Sequence, residues 1–269
     1  MILYQSYLQC IKKGLLLLPV TLFVISQSSP IANIVLAISI VAFIHLLLLP
    51  FGWFFENVFL QKDKLTSASS FGLFILLVGI AFFFSVKLCV YAIVYVTLNF
   101  FYYYPKTAIN KKAIGAFVFQ FITNGLLLYA IIEEAVMPDK SSGIAMQAIA
   151  LFVCAFYCFG LVLYKNEDLR LSNETLATKM GNLRTINFGI ILMGVGMLLL
   201  LMHLYKTNHL LHFFIFLLFL APVAAYIRWW KKQGIANEIV FESKYTILLF
   251  YLMGISFSIF SIVLLIMNY

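Results

Sequence analysis

Residues 187–205, NFGIILMGVGMLLLLMHLY, run for nineteen positions without an acidic residue, a lysine or an arginine. Wound as a helix at about 1.5 Å per residue, such a run matches the ~30 Å hydrocarbon layer of a bilayer. Eight further apolar runs are present, at 10–28, 31–50, 71–86, 88–104, 113–132, 144–164, 209–227 and 245–267. None alternates with the period of two that a barrel strand needs. Lipid offers no partner for backbone N–H and C=O groups, so helices that satisfy their own remain. The chain is 64% hydrophobic and 10% charged, with 28 Phe and 15 Tyr; no water-soluble fold hides that much apolar surface. The expected fold is an all-α integral membrane protein, one polytopic domain over 1–269 with nine transmembrane helices. The third and fourth runs are short and separated only by Lys87, as in a tight helical hairpin.

Charge position orients the bundle. With nine spans, fifteen of the 18 basic residues fall on one side, and only Lys87, Lys140 and Lys206 on the other. That asymmetry is the positive-inside signature. It places the N-terminus in the cytoplasm and the C-terminus outside, with a bacterial inner membrane as the expected location. The net charge of +8 is thus a matter of topology, and no nucleic-acid partner is expected. The start of the chain lacks a small-residue cleavage site and reads as a first span, not a removable signal. Cys10, Cys89, Cys154 and Cys158 make no disulfide framework; Cys154 and Cys158, four apart, read as a buried pair on one helix face. The sequon Asn173-Glu174-Thr175 falls on the cytoplasmic side and is discounted for glycosylation.

The longest polar stretch is LYKNEDLRLSNETLATKMGNLRTINFG, residues 163–189 around the connection between the sixth and seventh spans, with Lys165, Glu167, Asp168, Arg170, Glu174, Lys179 and Arg184. Glu56, Asp63, Glu238 and Glu242 share its side; Glu133, Glu134 and Asp139 lie on the other. A solvated connector is the plain reading of such a segment.

Three stretches suggest more. FFYYYPKTAINKKAIGAFVFQFITNGLLLYA (100–130) resembles the fourth-to-fifth helix region of the UbiA superfamily of intramembrane prenyltransferases. Tyr102, Tyr103, Pro105, Lys106, Lys112 and Gly115 fit its frame, with Asn110 at the family's turn lysine. FYCFGLVLYKNEDLRLSNETLATKMG (156–181) is similar to the family's second acidic motif. Asp168, Thr175, Leu176 and Gly181 match; Tyr164 stands where the first Asp belongs and Ser172 replaces a Gly. A UbiA-like subgroup with a Tyr-Gln-His-Glu-Glu-Asp run is echoed by Glu167 and Asp168. ANEIVFESKYTILLFYLM (236–253) resembles the lead into that subgroup's last helix. At the first acidic motif, HLLLLPFGWFFENVFLQKDK (45–64), His45 and Pro50 keep their places, but Trp53, Glu56 and Leu60 replace the Asn and Asp positions, and only Glu56 and Asp63 are acidic.

The resemblance implies a UbiA-like bundle with a central lipid cavity under cytoplasmic cap loops. It implies transfer of an isoprenoid from a polyprenyl diphosphate to a lipophilic acceptor. Mg²⁺ would offset the diphosphate charge, held by hard carboxylate oxygens. The implied catalytic and metal-binding set is Asp168, Glu167, Glu56 and Asp63. The implied substrate-binding set is Tyr102, Tyr103, Lys106, Lys112, Arg170, Lys179 and Asn124. Adjacent helical residues diverge by ~100°, so Glu167 and Asp168 do not both reach one ion from a regular helix. Two other readings stand beside this one: a degenerate member that binds an isoprenoid or anionic lipid, or an accessory membrane subunit. Transport is disfavoured because the spans lack paired ionisable residues at mid-depth.

Simpler readings apply elsewhere. Gln120, Asn124 and Gln147 read as helix-to-helix hydrogen bonders, with cavity lining the alternative for Asn124. His209 and His212 read as an interfacial pair. IRWWKK (227–232) reads as an interface anchor, and FFYYY as an aromatic belt of the same kind.

Overall fold

The computed structural model describes residues 20, 22–26, 79, 82, 85–104, 106, 107, 109–136, 143–237, 241 and 244–267. The described elements are all helical. Helix α1 is Val86–Tyr103. Helix α2 is Ala113–Val136, α3 Gly143–Leu163, α6 Asn182–Lys206, α7 Leu210–Ala236 and α8 Lys244–Met267. Two short cap helices, α4 (Lys165–Arg170) and α5 (Leu176–Met180), lie between α3 and α6. The five long helices have 21 to 27 residues, enough to cross a bilayer at ~1.5 Å per residue. They answer to the expected runs from 113 onward, and α1 to the run at 88–104. The first three expected spans lie outside the described residues, apart from residues 20, 22–26, 79, 82, 85 and 86, the last two being the cap and first residue of α1.

The outward faces are apolar. Ile191 and Leu198 of α6, Leu218 of α7 and Ile266 of α8 are all exposed, which suits contact with acyl chains rather than water. The chain is an integral membrane protein on these grounds.

Helix α3 is the axis of the packing. Its buried face is rich in small residues: Ala145, Ala148, Ala150, Cys154, Ala155 and Cys158. In lipid, where apolar burial gives helices little reason to associate, small residues let backbones approach and gain dispersion contact. Gly125 of α2 and Gly189 of α6 press on α3 from two sides. A Cβ at Gly125 would lie 2.6 Å from Ala150 Cβ and 2.7 Å from its Cα. One at Gly189 would lie 2.8 Å from a ring carbon of Phe159. Cys154 and Cys158 are buried free thiols, the small-residue pair expected of them.

Aromatic contacts join α3, α7 and α8. Phe257 meets Phe152 at 5.1 Å and Phe216 at 5.3 Å between ring centroids, spacings at which ring edges and faces attract. Tyr226 Oη donates to the carbonyl of Tyr245 at 2.9 Å, tying α7 to α8.

The anchor reading of IRWWKK needs correction. Helix α7 continues through Ala236, so Arg228, Lys231 and Lys232 are helical. Trp230 is fully buried, edge-on to Phe159 and Phe241. Only Trp229 is exposed, as an anchor would be. One face of the helix turns inward, and residues one apart on a helix do not share a face.

Helix α2 is not α-helical throughout. Gln120–Leu127 forms a π-helical stretch between two α-helical pieces. Wide turns of this kind occur frequently at functional sites.

Candidate functional site

After α1 the chain folds back on itself. The hydroxyl of Thr107 donates to the Tyr104 carbonyl at 2.8 Å, Ile109–Lys111 makes one 3₁₀ turn, and Lys112 is extended at φ −107, ψ 123. There it meets the connection between α3 and α6. The N–H of Glu174 donates to the carbonyl of Lys111 at 2.8 Å, and Lys112 and Glu174 form an isolated parallel bridge. Two of the stretches that carry the family resemblance, 100–130 and 156–181, are thereby joined backbone to backbone.

Helix α4 holds Glu167 and Asp168 in its first turn. It ends at Leu171, and Ser172 takes a left-handed conformation, φ 55. Serine has a Cβ and pays a steric cost there that glycine escapes. The reversal folds Asn173 onto Asp168: its N–H reaches the Asp168 carbonyl at 2.8 Å, and its Nδ2 reaches Oδ1 at 3.1 Å. Thr175 then caps α5, its Oγ1 accepting from the Thr178 N–H at 3.4 Å. The Thr175 side chain also hydrogen-bonds Asp168.

The segment is therefore two short helices separated by a reversal, not one continuous helix. Glu174 sits in the extended bridge instead, paired with Lys179 at 2.7 Å between Oε2 and Nζ.

The two carboxylates are tuned oppositely. Half-burial pushes the Asp168 carboxyl above its ordinary range; hydrogen bonds from Asn173 and Thr175 oppose the shift, and the nearby Glu167 charge adds to it. The hydrogen bond and charge of Lys179, with the charge of Lys112, hold Glu174 below its ordinary range.

An aromatic layer lies against this cap. Tyr102 is buried and stacks on Phe119 at 4.0 Å between centroids. Its hydroxyl shares a hydrogen bond with Tyr157 of α3, which in turn senses the Asp168 charge. Tyr102 is thus a packed residue rather than part of an interfacial belt.

The remaining candidates are spread more widely. Lys106 and Arg170 are exposed. Asn124 lies in the π-helical stretch, accepting from Tyr95 Oη at 3.1 Å and donating to Gln120, so it makes the helix-to-helix contact expected of a polar residue at this depth. The side chain of Tyr103, and all of Glu56 and Asp63, lie outside the described residues.

Four residues of this neighbourhood escape the sequence reading: Asn173, Tyr157, Asn182 and the polar role of Thr175. Asn182, the first residue of α6, is buried, and neither atom of its amide has a hydrogen-bond partner among the described residues. Its signal in the sequence is slight, an Asn directly after Gly181 at the head of an apolar run.

No protein-family model and no curated protein matches the chain. Solved structures do. A structure of digeranylgeranylglyceryl phosphate synthase aligns at 15% identity and TM-score 0.64, covering 98% of this chain and 99% of that one. A UbiA homologue from Archaeoglobus fulgidus bound to Cd²⁺ aligns at 12% identity and TM-score 0.66, covering 97% and 98%. A further structure of a UbiA homologue from that organism aligns at 12% identity and TM-score 0.63. The chain carries the UbiA fold over nearly its whole length.

Proposed function

We propose that this protein is a divergent UbiA-like membrane prenyltransferase, which takes a polyprenyl diphosphate at the cap and passes the prenyl group to a lipophilic acceptor. The observation that carries the reading is the joint between Lys111 and Glu174. It sets Lys111 and Lys112 against Glu174, which Lys179 also pairs with, one residue on from the Asn173 that bonds Asp168.

The chemistry follows from charge. Breaking the C–O bond leaves its electron pair on diphosphate. Lysine and arginine donors stabilise that charge where it develops, and Lys112, Lys106 and Arg170 are our candidates. The electron-poor prenyl carbon is favoured by aromatic faces, and Tyr157, hydrogen-bonded to the packed Tyr102, is our candidate to present one. The acceptor loses a proton as the new bond forms. Asp168, whose burial makes it a better base than an ordinary carboxylate, is our candidate to take it.

Among the described residues the donor set for Mg²⁺ is incomplete. They hold no group of three or more His, Cys, Asp or Glu placed for a metal. Glu174 is engaged by Lys179, and one Asp168 oxygen by Asn173.

A second reading, a member that binds an isoprenoid or anionic lipid without transfer, is favoured by Tyr164 at the position of the family's first Asp. Purified protein given a polyprenyl diphosphate, Mg²⁺ and membrane lipid distinguishes the two. Transfer requires diphosphate release that Asp168→Ala abolishes. Retention of the lipid with no release rejects the transferase reading.

A further inference from the structure

Helix α6 begins without a side-chain cap. Its N-cap is Gly181, and its first turn holds Arg184 and no acidic residue. A helix of 25 residues leaves its first N–H groups without intrahelical partners and carries partial positive charge at that end. A cation in the first turn adds to that charge instead of offsetting it. This end of α6 lies at the cap: only the five residues of α5 separate Thr175, which hydrogen-bonds Asp168, from Gly181.

Asn182 is 3% exposed, yet neither Nδ2 nor Oδ1 has a hydrogen-bond partner among the described residues. Thr185, buried one turn on, is satisfied: its Oγ1 donates to the Gly181 carbonyl at 2.9 Å. Helical Cα–Cβ bonds tilt toward the N-terminus, so the Asn182 side chain leans over the helix end. A buried amide empty at both atoms costs stability, and native structures leave few such groups empty. There is room beside it for a ligand. Gly181 sits at φ 81, ψ 164, a conformation that suits glycine, and the place its Cβ would take has nothing within 4 Å.

We propose that Asn182 and the first turn of α6 form a phosphate subsite for the prenyl donor, built from neutral donors and a helix end; its ligand class rests on the transferase reading. Nδ2 and the N–H groups donate to phosphate oxygens. A phosphate oxygen that keeps its proton donates to Oδ1. The Arg184 charge, unfavourable at an empty helix end, becomes favourable once an anion is bound.

Full-length protein in detergent with EDTA, titrated with inorganic diphosphate or with phosphatidic acid, tests this. Wild type binds diphosphate under these conditions. Asn182→Leu, similar in volume, lowers that affinity roughly tenfold or more, the usual worth of a hydrogen bond to a charged group. Its melting temperature without ligand is no lower than wild type, because an apolar group replaces an empty amide. Asn182→Asp repels the anion while its charge suits the helix end, so it loses affinity and keeps its melting temperature. Where Asn182→Leu loses both stability and affinity, Asn182→Asp decides, and wild-type affinity in it overturns the proposal. So does the absence of diphosphate binding by wild type, unchanged affinity in Asn182→Leu, or a loss confined to phosphatidic acid. None of these readouts needs turnover: Asn182-dependent binding without transfer rejects only the transferase reading, and transfer with unchanged affinity in both variants rejects only the subsite.

Discussion

The N–H of Glu174 and the carbonyl of Lys111 lie 2.8 Å apart, although 63 positions of sequence separate the residues. That bond holds the connection after α1 against the connection after α3. The cap is thereby one object, and the roles proposed for its side chains are separable by experiment.

Asp168→Asn is expected to abolish prenyl transfer while leaving the fold intact or firmer. A carboxylate held above its ordinary range favours the protonated folded state. Its contribution to stability is full below the unfolded-state value and is lost as pH rises through the folded-state value. An amide escapes that loss, so the variant should melt no lower than wild type at pH 7. A lower melting temperature together with unchanged turnover removes Asp168 from the site.

The acidic limb of the pH–rate profile should sit above that of an ordinary aspartate, because burial raises Asp168. Asn173→Ala removes a hydrogen bond that opposes the shift, so the limb should move to still higher pH. Profiles that superimpose show that Asn173 does not tune the reacting carboxylate.

Glu174 contributes in the opposite sense: its carboxyl is held low, so its stabilisation is present above the unfolded-state value and lost as pH falls through the folded-state one. Both partners of the Glu174–Lys179 pair are more than half exposed, and solvent screens them. A double-mutant cycle on the pair should give a coupling close to zero that vanishes in high salt. Lys112→Ala, in contrast, should weaken diphosphate binding without lowering the melting temperature.

Gly125→Ala should destabilise the bundle by about 1–3 kcal/mol, the usual cost of overpacking. The added methyl meets the Ala150 backbone, which cannot rotate away. Gly194→Ala is the control, since nothing lies within 4 Å of its Cβ position. Equal melting temperatures for the two variants contradict the close approach of α2 to α3.

A reporter fused after Tyr269 should read as external, and one placed at Ser172 as cytoplasmic. The same side for both breaks the nine-span topology.

The long helices were legible because each is an apolar run of membrane length, and that signal needs no tertiary context. Cys154 and Cys158 were legible for a related reason: four apart, they share a face wherever the helix goes. Glu174 was not. Its extended backbone depends on Ser172 turning left-handed and on a carbonyl supplied by Lys111, and neither is a property of the local sequence. Trp230 was misjudged because a Trp beside lysines looks the same whether it faces headgroups or Phe159. Asn173 and Tyr157 belong to the cap through contacts that only folding creates.

The π-helical stretch at Gln120–Leu127 sets the rotational phase between the two halves of α2. Residues before it present Lys112 to the cap; residues after it present Glu133 and Glu134 to the opposite leaflet. Removing one residue there would close the ladder to ordinary α-helix and change the rotation of one half against the other. The two ends of the molecule are timed by that single widened turn, as two cams on one shaft.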